Sequence, residues 1–76
     1  MTLKILTPDT ISEIQAEAVF LPGAAGAFEV LRGHAPIISS LVKGELRWRT
    51  SGVEHTRLVD GGMAMVENDV ITICAE

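Results

Sequence analysis

Apolar and polar residues alternate in short runs along most of this chain. In Glu45–Thr50, Leu46 and Trp48 alternate with charged and polar residues, and Thr2–Thr7 has the same alternation near the start of the chain. A period of two places alternate side chains on opposite faces of a β-strand. The pattern therefore predicts two strands, with Leu46 and Trp48 facing the interior of the protein.

Turn residues separate these runs and predict further short strands between them. Pro8-Asp9, Ser51-Gly52, Asp60-Gly61-Gly62 and Glu67-Asn68-Asp69 are all typical of turns. The additional predicted strands are Phe28–Leu31, Pro36–Val42, Val53–Leu58, Met63–Val66 and Val70–Ala75. Short strands with a turn about every ten residues are typical of an all-β sandwich or barrel.

The segment from residue 9 to residue 21 fits two different structures. Thr10-Ile11-Ser12-Glu13 has the spacing of a helical capping box, and Ile14 and Ala18 continue a helical spacing from Ile11. Ala16–Leu21, however, also has the alternation of a strand. The residues alone leave both a helix and short strands open.

The stretch Leu21–Ile37 is the most distinctive part of the sequence. It contains three glycines, Gly23, Gly26 and Gly33, and two prolines, Pro22 and Pro36. Glycine allows backbone angles that other residues resist, and proline fixes its own φ. We expect a shaped, turn-rich loop with one brief strand inside it.

Length and composition exclude several classes of protein. A chain of 76 residues is expected to form one domain, and its net charge of −4, without a basic patch, argues against a nucleic-acid partner. No apolar run reaches the roughly 18 residues of a membrane span, and the first residues lack a signal-peptide core. An apolar fraction of 47% suits either a compact core or an interaction module. With Cys74 as the one cysteine, a disulfide framework is excluded and a reducing, cytoplasmic setting fits.

Few residues suggest a catalytic, metal-binding or nucleotide-binding site. His34 and His55 are the only histidines and, with one cysteine, do not make a zinc set. Ser39, His34 and Asp60 can be combined into a triad on paper, but no Gly-x-Ser-x-Gly motif is present. No Gly-Lys-Ser/Thr follows the glycine-rich segment, so a nucleotide site is not expected either. His34 is interpreted as a turn residue bonded to nearby backbone or as a contact residue, and Cys74, Met63 and Met65 are expected in the core.

Three motifs in the central stretch carry a resemblance to a known family. Leu-Pro-Gly at residues 21–23, Gly-Ala-Phe at 26–28 and Val-Leu-Arg-Gly-His-Ala-Pro-Ile at 30–37 resemble the signature loop of the epsilon subunit of F-type ATP synthases. Residues 3–8, 43–49, 61–66 and 68–76 resemble other strands of the same family, so the likeness covers nearly the whole chain.

This resemblance implies a fold and a function. The fold is all-β, a flattened sandwich of two sheets of short, mostly antiparallel strands, with two strands rather than a helix in residues 9–21 and one domain over residues 1–76. The function is that of a non-catalytic rotor subunit of the central stalk, which binds the gamma subunit and the c ring and couples rotation to ATP synthesis. It implies no cofactor and a peripheral position on the cytoplasmic face of the energy-transducing membrane.

The resemblance also implies which residues make these contacts. The gamma-subunit interface is predicted to contain His34, Ala35, Ile38 and Ser39, and the c-ring interface Gly26, Ala27, Phe28 and Glu29. Many family members have a glutamate at the position of Ala27, so we expect Glu29 to supply the missing carboxylate. Burial of Phe28, Val30 and Leu31 against a partner is expected to anchor the loop.

Two expectations concern the limits of the likeness. Longer members continue into a C-terminal helical hairpin that carries autoinhibition and, in some members, ATP sensing; ending at Glu76, the chain is expected not to inhibit hydrolysis by inserting a helix. Whether Glu76 is a natural end or a truncation is left open. The alternative function is a free-standing β module that binds a small ligand or peptide near His34.

Overall fold

The computed structural model describes all residues from 1 to 76 and is built from nine β-strands without a helix. There is accordingly no helical segment of the length and apolarity that crossing a bilayer requires. The strands are β1 (Thr2–Leu6), β2 (Ile11–Gln15), β3 (Ala18–Leu21), β4 (Phe28–Leu31), β5 (Ile37–Leu41), β6 (Gly44–Thr50), β7 (Val53–Val59), β8 (Gly62–Glu67) and β9 (Val70–Ala75). Each strand that alternation or turn spacing predicted is present.

The strands form two sheets that pack face to face. One sheet has the order β2-β1-β9-β8-β5 and the other β4-β3-β6-β7. All neighbours pair antiparallel except β1 and β9, which are parallel. With principal extents of 26 × 24 × 18 Å, the molecule is flattened. The predicted sandwich of two mostly antiparallel sheets is confirmed.

The core lies between the sheets and takes side chains from both. Thirteen buried apolar residues form one cluster. From the five-stranded sheet it includes Leu3, Ile5, Val66, Ile71 and Ile73, and from the four-stranded sheet Val19, Leu21, Val30 and Leu46. Every one of these follows the alternation of its strand, because only one face of each sheet is covered.

Residues 9–21 form the two strands that the resemblance implied and not the helix that their spacing also allowed. Ile11–Gln15 pairs with β1, and Ala18–Leu21 pairs with both β4 and β6. The chain crosses from one sheet to the other at Ala16 and Glu17, whose amides donate to the carbonyl oxygens of Met1 (2.9 Å) and Arg49 (2.8 Å). The pairing of Ile11–Gln15 with β1, together with the pairing and burial of Ala18–Leu21, outweighs a local capping preference that is worth only about 1 kcal/mol.

The expected interior position is confirmed for Leu46 but only in part for Trp48. Leu46 is fully buried, whereas Trp48 is partly buried and packs against the edge of the core. The indole stacks on the ring of His55, directly across the strand pair, with 5.7 Å between ring centroids. His55 belongs to β7, an edge strand of its sheet, so this end of the inner face opens to solvent.

The expectation that Met63, Met65 and Cys74 are buried is wrong. Ala64 and Val66 of β8 face the core, so Met63 (47% exposed) and Met65 (45% exposed) face outward. In β9, Ile71 and Ile73 take the inner positions and leave Cys74 exposed. Apolar residues occupy both faces of these strands, so the alternation alone does not mark the inner one.

Candidate functional site

The distinctive stretch Leu21–Ile37 runs along one side of the sandwich. β4 is an edge strand of the four-stranded sheet and β5 an edge strand of the five-stranded sheet. The loop before β4, residues 22–27, lies beside the end of β5, because the amide of Ala24 donates to the carbonyl oxygen of Ser40 (2.8 Å). The loop after β4, residues 32–36, leads into the start of β5. The two loops therefore lie at opposite ends of β5, about 13 Å apart at 3.3 Å per residue.

The first loop is shaped by Gly23. A Cβ on this residue would lie 2.6 Å from the carbonyl oxygen of Gly26 and 2.9 Å from the ring of Phe28, so no larger residue fits. The ring of Phe28 packs closely over Gly23 and is partly buried against the core. Of the residues predicted for the c-ring interface, Gly26 and Ala27 are exposed at the tip of this loop. The side chain of Phe28 is only partly exposed, because its ring packs inside the loop.

The prediction that Val30 anchors the loop by burial against a partner is wrong. Its side chain is 1% exposed and belongs to the core. Leu31, by contrast, is 50% exposed and remains available to a partner.

Glu29 is exposed and makes no ion pair. It lies across from Phe20 on the outer face of the four-stranded sheet. The next residue in that row, Arg47, contacts the ring of Phe20 (4.7 Å to its centroid) and pairs with Glu54 (Nη1 to Oε1, 3.1 Å). The carboxylate of Glu29 is therefore free to meet a cation outside the chain.

His34 behaves as the turn histidine that the sequence suggested. Its ring is half-buried, and Nδ1 donates to the carbonyl oxygen of Ala35 at 2.7 Å. Its backbone amide donates to the carbonyl oxygen of Leu31 (3.1 Å), which closes the turn after β4. Ala35 itself is exposed.

The other two residues of the predicted gamma interface point to opposite faces of β5. Ile38 is 68% exposed on the outer face, whereas Ser39 is half-buried on the inner face, across from the buried Ala64. The hydroxyl of Ser39 donates to the carbonyl oxygen of Ser40 (3.0 Å). The structure thus brings His34, Ala35 and Ile38 along one side of the molecule but does not bring Ser39 onto the same face.

An exposed apolar surface extends from Ile38 across the five-stranded sheet and was missed in the sequence. Strand register places Ile38 across from Met65, and Met63 across from Cys74. The row of Met63 continues through Leu6 to Ile11, which is 79% exposed. We call this surface the outer apolar face; its residues are Leu6, Ile11, Ile38, Met63, Met65 and Cys74. Apolar residues at both phases of the alternation in β8 are the signal that identifies it.

The grooves beside these residues are shallow. One, of about 260 Å³, lies between the loop of His34 and the turn at Asn68 and Asp69. The other, of about 340 Å³, lies between Ile38 and Met65 and is mostly apolar. No three His, Cys, Asp or Glu side chains cluster as metal ligands do, and no polar or charged side chain is buried. The arrangement offers shaped, apolar surface for contact with another molecule.

Comparison with known proteins gives one consistent result. A family model described as the ATP synthase, Delta/Epsilon chain, beta-sandwich domain matches residues 1–76. The chain is 38% identical to the ATP synthase epsilon chain of Nostoc sp. over 96% of its length, and 41% identical to that of Nitratidesulfovibrio vulgaris over 97%. It spans 56% of each of these two relatives.

Solved structures have the same fold. A chain in the mitochondrial ATP synthase of Euglena gracilis, in a structure of the OSCP, F1 and c ring, superposes with a TM-score of 0.89 at 23% identity, over 96% of this chain and 48% of its own. A chain in the central stalk and c-ring structure of Tetrahymena thermophila ATP synthase superposes with a TM-score of 0.82 at 15% identity, over 97% of this chain and 61% of its own. With a match across all of its residues, this chain belongs to the family of ATP synthase delta/epsilon β-sandwich domains.

Proposed function

We propose that this chain, as one domain over residues 1–76, is a non-catalytic part of the central stalk of an F-type ATP synthase. It binds the gamma subunit and the c ring, so that rotation of the ring is coupled to ATP synthesis. In this role it is a peripheral component on the cytoplasmic face of the energy-transducing membrane and needs no cofactor. The observation that carries the proposal is the 38–41% identity to ATP synthase epsilon chains over nearly the whole chain.

The geometry supports binding to another protein rather than to a small molecule near His34. Small-molecule pockets are typically about 300–1,000 Å³, enclosed and mostly apolar. The groove beside His34 is smaller, at about 260 Å³, and only one of its lining residues is hydrophobic. The broad face of the sandwich measures about 26 by 24 Å. That area is of the same order as the roughly 800 Å² that a stable protein interface buries on each partner.

The gamma subunit is proposed to cover the outer apolar face near Ile38, together with the loop that carries His34 and Ala35. Ile38 and Met65 are exposed apolar side chains next to each other, and burying such a pair is favourable at about 25 cal/mol per Å². Ser39 is proposed to contribute at the edge of β5. These contacts make a central apolar anchor with a polar rim, as stable interfaces do.

The c ring is proposed to meet the other end of β5. The tip of the first loop presents Gly26 and Ala27, and Glu29 follows with an unpaired carboxylate. A basic loop of the c ring would form a charge-assisted contact with that carboxylate. Phe28 contributes by holding the loop in shape over Gly23.

Co-purification tests the proposal. The chain is tagged, added to detergent-solubilised membranes that contain the ATP synthase, and recovered; the gamma and c subunits are then identified by mass spectrometry. We expect both subunits with the wild-type chain. Recovery of neither subunit, with the chain monomeric and carrying a small molecule in native mass spectrometry, would favour the ligand-binding alternative instead.

A further inference from the structure

One hydrogen bond joins the loop of residues 32–36 to a distant part of the chain. The backbone amide of Gly33 donates to Oδ1 of Asp69 at 2.7 Å, across 36 positions of sequence. The other hydrogen bonds of this loop are local, from the amide of His34 to Leu31 and from its ring to Ala35. An amide bonded to a carboxylate makes a charge-assisted hydrogen bond, which is stronger than a neutral one.

Asp69 occupies a backbone conformation that glycine would adopt more easily. It is the second residue of the two-residue turn between β8 and β9, with φ of 60°, and Asn68 before it has φ of 52°. In such turns glycine is the usual residue at the second position, because a side chain there is strained. What aspartate provides here and glycine lacks is the acceptor for Gly33.

The backbone of the turn is itself held in place, which limits the positions that the carboxylate of Asp69 can take. The backbone amide of Thr2 donates to the carbonyl oxygen of Asp69 (2.9 Å), which attaches the turn to the start of β1. Gly33, in contrast, has φ of 80° and nothing within 4 Å of where a Cβ would be. A glycine in open space has many accessible conformations, and the bond to Asp69 selects one of them.

We propose that Asp69 is a positioning residue, whose carboxylate sets the conformation of the Gly33–Pro36 loop and so presents His34 and Ala35 to the gamma subunit. The proposal rests on the proposed function, since it names what the carboxylate is positioned for. Asp69 acts through Gly33 and need not touch the partner.

Three variants separate positioning from a general effect on folding. Asp69→Gly removes the acceptor and suits the positive φ; Asp69→Asn keeps an acceptor oxygen and also tolerates this conformation. Asn68→Gly is the matched control, because it changes the neighbouring residue of the same turn, whose side chain makes no hydrogen bond. Each variant is measured for the amide proton shift and hydrogen exchange of Gly33 by NMR, for melting temperature, and for affinity to the isolated gamma subunit.

For Asp69→Gly we expect exchange at Gly33 to speed up by about tenfold and affinity for gamma to fall by about fivefold or more, with the melting temperature unchanged or higher. Asp69→Asn is expected to lie between Asp69→Gly and wild type, and Asn68→Gly to match wild type in the Gly33 signals and in affinity. Unchanged exchange at Gly33, a lowered melting temperature in Asp69→Gly, or unchanged affinity would each overturn the proposal. Failure of the wild-type chain to bind gamma would instead reject the proposed function, and the exchange data would still decide whether Asp69 holds the loop.

Discussion

Ile38 on β5 and Met65 on β8 lie directly opposite each other in the five-stranded sheet, and both side chains point away from the core. Directly opposed residues have their Cβ atoms about 5 Å apart, so the two form one apolar contact surface. Of the residues predicted from the sequence for the gamma interface, Ile38 is therefore the one that the structure places within a larger apolar surface.

Replacing Ile38 by glutamate is expected to weaken binding without weakening the fold. The side chain is 68% exposed, so Ile38→Glu should change the free energy of unfolding by less than about 0.5 kcal/mol. A charge within an apolar interface should raise the dissociation constant for gamma at least about tenfold. Titration calorimetry measures the affinity, and urea denaturation the stability.

Leu58→Glu is the matched control for that experiment. Leu58 is 80% exposed, but it lies on β7, an edge strand of the opposite sheet. We expect its affinity for gamma to equal that of wild type. Equal losses in the two variants would mean that general surface charge, rather than the outer apolar face, determines binding.

Two leucines of one hairpin show whether burial, rather than residue type, determines the contribution of a side chain to stability. Leu46 is fully buried on β6, and Leu58 is 80% exposed on the adjacent β7. Leu46→Ala should lower the free energy of unfolding by about 3 kcal/mol, because it leaves a cavity in a small core. Leu58→Ala should lower it by less than about 0.5 kcal/mol. Urea denaturation of both variants checks this, and similar losses would contradict the assigned faces of the hairpin.

The strands were predictable because a two-residue period is a local property. Leu46, between two charged residues, had one reasonable orientation, and the structure confirms it. Met63 and Met65 did not have one reasonable orientation, because Ala64 and Val66, at the alternate positions of the same strand, are apolar as well. Which set is buried depends on the volume available between the sheets, and a single strand does not contain that information.

Residues 9–21 and Asp69 illustrate what local patterns cannot provide. The capping-box spacing at Thr10–Glu13 is a real local preference, yet pairing with β1 decides the outcome. Asp69 reads as an ordinary turn residue in the sequence. Its contact with Gly33 depends on the β8–β9 turn meeting the β4–β5 connection across 36 positions of sequence, which only the assembled sheets bring about.

Cys74 is expected to react in the folded protein. It is exposed on β9, across from Met63 on the outer apolar face. A thiol reagent such as dithionitrobenzoate should modify one thiol per chain without denaturant, and Cys74→Ser should abolish the signal. If gamma covers this face, saturating gamma should slow the modification at least about tenfold. Modification that requires unfolding would contradict the exposed position.

Glu29→Ala is expected to weaken binding to the c ring in a salt-dependent way. The carboxylate of Glu29 has no ion-pair partner within the chain, while Arg47 nearby is already paired with Glu54. A contact between an exposed carboxylate and a basic loop is screened over about 8 Å at physiological ionic strength. Wild-type affinity for isolated c ring should therefore fall as salt rises from 50 to 300 mM, roughly, and Glu29→Ala should be weaker and nearly independent of salt.

The double variant Ala27→Glu/Glu29→Ala tests whether the position or only the charge matters. Ala27 lies two residues earlier, exposed at the tip of the same loop, so a glutamate there should restore most of the affinity and its dependence on salt. Glu13→Ala is the control, because Glu13 is exposed on β2, the opposite edge strand of the five-stranded sheet from β5. It should retain both the affinity and the salt dependence of wild type. If Glu29→Ala retained the wild-type salt dependence, Glu29 would not be the residue that supplies the carboxylate to the c ring.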